Sequence, residues 1–170
     1  MLEVIRRRRS NRKFTADRVK DEKVREILTS AMWAPTSRST RAWEFVVVRD
    51  PVMKERLSMA THSSRFVAGA SVVIVVCYDN ERGFRFREDC SICAEHIHIE
   101  ATAQGLSSCF VQVCDAGDPA GSAEPYVRGL LGIPDHYRVQ CMMPLGYPAG
   151  PLAEHTEDEY DPAKVHEEAF

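Results

Sequence analysis

Ala34-Pro35-Thr36-Ser37-Arg38-Ser39-Thr40-Arg41-Ala42-Trp43-Glu44-Phe45-Val46-Val47-Val48 is the stretch from which the organisation of this chain can be worked out. Proline followed by small hydroxyl residues predicts a loop over residues 35–42. The aromatic and valine-rich run behind it, residues 43–48, has the composition of a strand. Before the loop, a helix is expected to open at Asp21, whose carboxylate can cap the free amides of the first turn. That helix places Val24, Ile27, Leu28 and Ala31 on one face and ends ahead of Pro35. After the strand, Asp50-Pro51 is a helix start, because proline in the first turn loses no hydrogen bond. Met53, Leu57 and Ala60 would face inward from it. Residues 71–78, rich in valine, have the character of a strand buried on both faces.

Further along, residues 86–104 keep a helical pattern, with Gly105 as the stop. Residues 108–113 are strand-like, and residues 114–124 form a loop rich in Asp, Gly and Pro. A short helix runs through Leu130-Leu131 to Gly132 and Pro134. A last strand over residues 137–145 closes at Gly146-Tyr147-Pro148. At the other end, residues 2–9 suggest a short opening helix. The tail, residues 151–170, carries Glu154, Glu157, Asp158 and Glu159 without a strong period. It is expected to wrap the surface or a partner chain rather than enter the core. No repeat or low-complexity tract is present. Helices alternating with strands would ordinarily argue for a parallel sheet, but the pattern by itself supports only a mixed class.

Composition narrows the functional classes. A chain of 170 residues, 44% hydrophobic and 28% charged, fits one globular domain spanning residues 1–170. A net charge of −3 is too small to draw the whole molecule to nucleic acid, so no such partner is expected. The opening residues run straight into arginines without the apolar core of an export leader. The longest apolar run, Val72 to Tyr78, is far too short to cross a bilayer, so no membrane association is expected. A cytoplasmic protein with its six cysteines as thiols is the expected setting.

Near the amino terminus stands Arg8-Arg9-Ser10-Asn11-Arg12-Lys13-Phe14. Guanidinium groups present paired donors that match phosphate oxygens, and a serine hydroxyl donates without bulk. By residue type alone this box is equally a solvated basic run, and the 35–42 loop reads first as a plain helix-to-strand connection. Taken with Ala103-Gln104-Gly105-Leu106-Ser107-Ser108, however, the two segments resemble the nitroreductase family in order and spacing. The box is similar to that family's arginine-serine-arginine motif. The loop is similar to its Ala-Pro-Ser-Ser-x-Asn-x-Gln-Pro-Trp segment, and the third segment to its Gly-Leu-Gly turn. Gly132-Ile133-Pro134 and Gly146-Tyr147-Pro148 fall at comparable turns.

This resemblance implies an α+β sandwich, a mainly antiparallel central sheet flanked by helices, in an intertwined homodimer. It implies FMN as cofactor, bound where both chains meet, with NADH or NADPH as electron donor. A nitroaromatic, quinone or similar flat small molecule would be the electron acceptor. Carried over by resemblance, Arg8, Arg9, Ser10 and Arg12 would hold the phosphate and ribityl chain. Pro35, Thr36, Ser37, Ser39 and Arg41 would approach the flavin ring from the second chain. Because the chemistry would belong to flavin N5, no catalytic side chain is expected. Ser39 stands where the family has asparagine, Arg41 where it has glutamine, and Ser107 where it has glycine. Larger members carry basic residues near the carboxyl end, where this chain is acidic.

Other functions remain on the table at this point. The same fold serves dehalogenation, enoate reduction and flavin breakdown, and a flavin-binding or sensing protein without turnover would keep the same motifs. Cys90-Ser91-Ile92-Cys93 with His96 and His98 nearby has residue types of a metal-binding redox centre. Yet Cys90, Cys93 and Ile97 share one helical face, and His96 and His98 point apart. Buried core or interface cysteines without a metal are therefore expected. No phosphate-binding P-loop, nucleophile elbow or dinucleotide glycine fingerprint occurs.

Overall fold

The valine-rich run becomes β2 (Val72–Asp79), and all eight of its residues are buried. In the computed structural model, which describes residues 1–117, 119 and 121–170, β2 is flanked by β1 (Trp43–Val48) and β5 (Tyr137–Gly146). The short strands β3 (Ser107–Ser108) and β4 (Val111–Gln112) pair with the far side of β5, giving the order β1-β2-β5-β3. Every strand pair is antiparallel. The parallel sheet suggested by alternating elements does not form.

Because side chains alternate along a strand, β2 feeds two cores. Val72, Ile74, Val76 and Tyr78 pack under α2 (Asp21–Met32) and α4 (Phe86–Ala103), against Ile27, Cys93 and Ile97. Val73, Val75 and Cys77 face the other layer, built by α3 (Pro51–Leu57), the turn His62–Gly69 and α5 (Ala123–Leu131). Asp50 caps α3 by accepting from Met53 N at 2.7 Å, and Gly132 ends α5 in the left-handed conformation at φ 64°.

Three details depart from expectation. Asp21 is not the cap of α2; Lys20 holds that position without a side-chain bond. The Asp21 carboxylate instead pairs with Arg49 at 2.7 Å and Arg18 at 3.1 Å, favourable at a helix amino terminus. The opening helix α1 is only Glu3–Arg7, since Arg8 is already extended and leads to a bridge between Ser10 and Ser108. The expected strand over residues 108–113 is broken at Cys109 and Phe110. Leu145 O faces β2, where it accepts from Ser71 N, so the backbone of Pro144 faces Cys109. A proline has no N–H to give there, and the ladder lapses.

Asp118 and Ala120, in the expected 114–124 loop, lie outside the described residues. The tail stays out of both cores and returns to the opening helix. There His155 N donates to Arg6 O at 2.9 Å and Glu154 pairs with Arg6 at 3.1 Å.

Candidate functional site

The arginine-serine box lies as a strap along β3. Ser10 bridges Ser108, and Asn11 N donates to Ser108 O at 2.9 Å. The Asn11 side chain, 7% exposed, donates to Ser107 Oγ and to Lys13 O, each at 2.7 Å. Asparagine supplies two donors and an acceptor, so one residue ties the strap to the sheet and turns it. Ser107 supplies the hydroxyl that receives this bond.

The strap's side chains do not stay together. The Arg12 guanidinium lies over the Phe66 ring at 5.7 Å and lines a cavity of about 320 Å³. Thr61, Ser63, Cys109, Phe110, Val111 and Gln112 share that wall. Burial pushes the Cys109 thiol up, opposed by the Arg12 charge and a hydrogen bond with Ser10, which sets Ser10 beside this wall. Arg8 turns away to Glu95 on α4 at 3.6 Å, and Arg9 donates to His155 of the tail at 3.0 Å. Of the four box residues, Arg12 lines the cavity and Ser10 lies beside its Cys109 wall, while Arg8 and Arg9 are engaged elsewhere.

The second expected segment sits at the opposite edge of the sheet, ahead of β1. Its backbone is unusual: Arg38, Ser39 and Arg41 take φ values of 54°, 55° and 47°, left-handed conformations that non-glycine residues seldom adopt. Thr36 Oγ1 accepts from Arg41 N at 3.0 Å, closing the loop on itself. Ser37 N donates to Asp89 Oδ1 at 2.9 Å, and Tyr78 OH donates to the other oxygen at 2.6 Å. Tyr78 OH in turn accepts from Phe84 N at 3.1 Å and Arg85 N at 3.3 Å. This relay joins the loop to the turn before α4. Pro35, Ser39 and Arg41 are exposed, while Thr36 and Ser37 are half-buried.

Asp89 and Tyr78 are functional-looking residues that motif reading passed over. A signal existed for Asp89: it shares the stripe of Cys93 and Ile97 at four-residue spacing, a carboxylate on an apolar face. From the sequence, His98 stands out only by its metal-ligand type. It is 3% exposed and pairs Nδ1 with Ser108 Oγ at 2.8 Å, beneath the strap, while its buried Nε2 has no partner. Burial, reinforced by the Arg8 charge, lowers its pKa to about 4. Cys90 and Cys93 are fully buried in the core, where burial pushes the Cys93 thiol up to about 12. Among the described residues, no three His, Cys, Asp or Glu side chains are grouped to hold a metal ion.

Within one chain the two segments stand apart. Three strand spacings separate β1 from β3, roughly 14 Å. Along α4, Asp89 touches the loop and Glu95 the strap, roughly 9 Å apart at helical rise.

An antiparallel sheet between helical layers, with an arginine-serine strap on one edge and a proline-hydroxyl loop on the other, defines an α+β protein of the nitroreductase fold. The Nitroreductase family model matches residues 5–64 and 54–147, and the chain belongs to that family. It is 34% identical over 174 residues to a Methanothermobacter thermautotrophicus protein named as a candidate NADH dehydrogenase/NAD(P)H nitroreductase, covering 100% of this chain and 87% of that one. An FMN-dependent nitroreductase from Clostridium difficile R20291 superposes with a TM-score of 0.95 at 34% identity, with 100% of both chains covered. The NADPH:FMN oxidoreductase of Vibrio harveyi, solved with NAD+, gives 0.79 at 25% identity, covering 99% of this chain and 76% of that one. Among the described residues no helix is long and apolar enough to cross a membrane.

Proposed function

We propose that this chain is an FMN-dependent NAD(P)H:acceptor oxidoreductase working as a homodimer, with a nitroaromatic, quinone or similar flat molecule as acceptor. Family membership, the FMN-dependent nitroreductase and the NADPH:FMN oxidoreductase among the similar structures support the reaction class. The observation that carries the assembly is the placement of the two site segments on opposite sheet edges. A second copy, turned so that its loop meets the first copy's strap, completes a site that one chain leaves in halves.

The residues present fit the cofactor. Arg12 offers a guanidinium fork and Ser10 a hydroxyl beside the cavity, a donor set suited to a dianionic phosphate. Phe66, Phe110 and Val111 give apolar walls for a flat ring, and Gln112 and Ser63 give polar groups for its edge. The half-buried Thr36 and Ser37 of a second copy would close the ring edge from above. Bound there, FMN would supply the hydride and electron chemistry between a nicotinamide and the acceptor. The protein's share is to hold the phosphate, exclude water and orient both substrates.

The test is to release and identify any bound chromophore, titrate the protein anaerobically with NADH and NADPH, and sediment it with and without FMN. Bound FMN, bleaching by a nicotinamide and a dimer are expected. A protein that neither carries nor takes up FMN would overturn the reading. A monomer fully loaded with flavin would overturn the shared site.

A further inference from the structure

The turn before α4, with the arginines of the neighbouring loop, carries a feature beyond the flavin contacts proposed above. Phe84 is 60% exposed although the Arg38 guanidinium lies 4.7 Å from its ring centroid. Arg41 and Arg85 are exposed beside them in the chain, and among the described residues neither makes an ion pair. Arg82, by contrast, is matched by Asp79 at 3.9 Å. The carboxylate nearest this group in the hydrogen-bond relay, Asp89, is buried and already accepts from Ser37 and Tyr78. The result is an exposed Arg38–Phe84 pair with two further exposed arginines, Arg41 and Arg85, next to its members in the chain.

The group is also held in place. Tyr78 OH fixes the backbone amides of Phe84 and Arg85, and through Asp89 it fixes Ser37 of the flavin loop. Gly83 lets the turn press on the Tyr78 ring, since a Cβ there would stand 2.1 Å from it. A cation-rich platform braced against the flavin loop is therefore a fixed distance from wherever that loop meets the ring.

From this geometry we propose that Arg38, Phe84, Arg41 and Arg85 form a nucleotide-recognition rim that takes the 2′-phosphorylated adenosine half of NADPH, making NADPH the preferred donor. Guanidinium forks match a phosphate dianion, and an arginine is the group that accommodates a 2′-phosphate where an acidic residue would instead bind the free ribose hydroxyls. The exposed Phe84 ring and the Arg38 plane offer a stacking surface for adenine. The proposal rests on the oxidoreductase reading for its biological meaning, but the rim can be tested without turnover.

The experiment is calorimetric titration of the purified flavoprotein with adenosine 2′,5′-bisphosphate and with adenosine 5′-monophosphate, beside steady-state kcat/KM for NADPH and NADH. The bisphosphate should bind at least tenfold more tightly at low salt. That margin should narrow as salt rises, because exposed charges are screened. Arg38→Gln and Arg85→Gln should each cut the margin about three- to tenfold, the range for exposed and partly desolvated charge contacts. The same two variants should lower the NADPH/NADH ratio through the NADPH KM rather than kcat. Phe84→Leu should weaken both nucleotides alike. Equal affinity for the two adenosine ligands, or a margin that survives both arginine substitutions, overturns the rim. So does a rim that distinguishes carboxylated from neutral quinones but not the two nucleotides, which would make it an acceptor site. If the protein lacks flavin or nicotinamide turnover altogether, the oxidoreductase reading fails while the nucleotide titration still decides the rim.

Discussion

The strap on the β3 edge and the loop on the β1 edge belong to one proposed site, yet they are stabilised by opposite means. The strap is ordinary extended chain, paired to β3 through Ser10 and Asn11 and held again by the Asn11 side chain. The loop bends through three left-handed non-glycine residues. Such conformations cost about 1 kcal/mol each and persist only when the surroundings over-determine them. Here the surroundings are largely one buried carboxylate. The strap is thus an extension of the sheet, whereas the loop is a strained element suspended from the Asp89–Tyr78 relay.

Removing that carboxylate is the strongest way to break the symmetry. Asp89→Ala leaves the Ser37 amide and the Tyr78 hydroxyl without their acceptor inside the protein. At 1–3 kcal/mol for each stranded donor, urea unfolding should show a loss of about 4 kcal/mol. The 83–85 turn should loosen with it, seen as faster amide exchange at Phe84 and Arg85. A loss below about 1 kcal/mol would mean that water reaches the relay, and that the loop is held by something other than Asp89.

The strap has its own buried polar support in His98, and pH tests it. The unfolded chain takes up a proton near the usual histidine value of 6.5, whereas the folded chain refuses it until about 4. Stability from this group is therefore complete above 6.5 and is lost as pH falls toward 4, by about 3 kcal/mol in total. The contribution is read as the difference between the stability–pH curves of wild type and His98→Asn, so that carboxylates common to both cancel. Parallel curves between pH 7 and 4 would show that His98 is hydrated or protonated in the folded state.

How far these regions could be read in advance follows from how local their causes are. Trp43–Val48, the Asp50-Pro51 start and the left-handed Gly132 stop were legible because a few neighbouring residues specify each. The break at Cys109 and Phe110 was not, because Pro144, which causes it, lies 35 residues downstream of Cys109 on another strand. The same holds in the strap. Residue types allowed an anion site and the family resemblance favoured one, but which arginine faces the cavity depends on Phe66, Glu95 and His155, all remote in sequence. The relay beneath the loop left only one trace, a carboxylate on the apolar stripe of α4.

That division within the strap makes a graded forecast. Arg12, beside the cavity, should matter most: Arg12→Ala should weaken FMN about ten- to hundredfold, as for a lost charge-assisted contact of 1.5–3 kcal/mol. Lysine there should restore only part, since an ammonium cannot present the fork. Arg9→Ala should change FMN affinity by less than about threefold, because the tail's His155 already engages that guanidinium. Equal losses at both positions, measured by flavin fluorescence quenching, would mean that the tail releases Arg9 when flavin binds.

The smallest effect is expected at Ser39, where strain and reach can be separated in one variant. Ser39 sits at φ 55° with its amide bonded to Thr36 O at 3.0 Å, so its backbone is set by the loop rather than by its side chain. Asparagine, which the resemblance would put at this position, tolerates the left-handed region far better than serine. Ser39→Asn should therefore stabilise the protein by about 0.5 kcal/mol, a rise of about 1–2 °C in Tm for a domain of this size. The longer amide also extends toward the ring of the second copy. If it gains one neutral hydrogen bond, FMN should bind about two- to tenfold more tightly. The two readouts respond to different causes. A higher Tm without tighter flavin means that the loop conformation is as described but that residue 39 faces away from the ring. Tighter flavin without a higher Tm in the flavin-free protein means that the left-handed turn forms only when the second copy and the cofactor are in place. If neither moves, serine at 39 is under no strain, and the contrast between a relaxed strap and a strained loop rests on Arg38 and Arg41 alone.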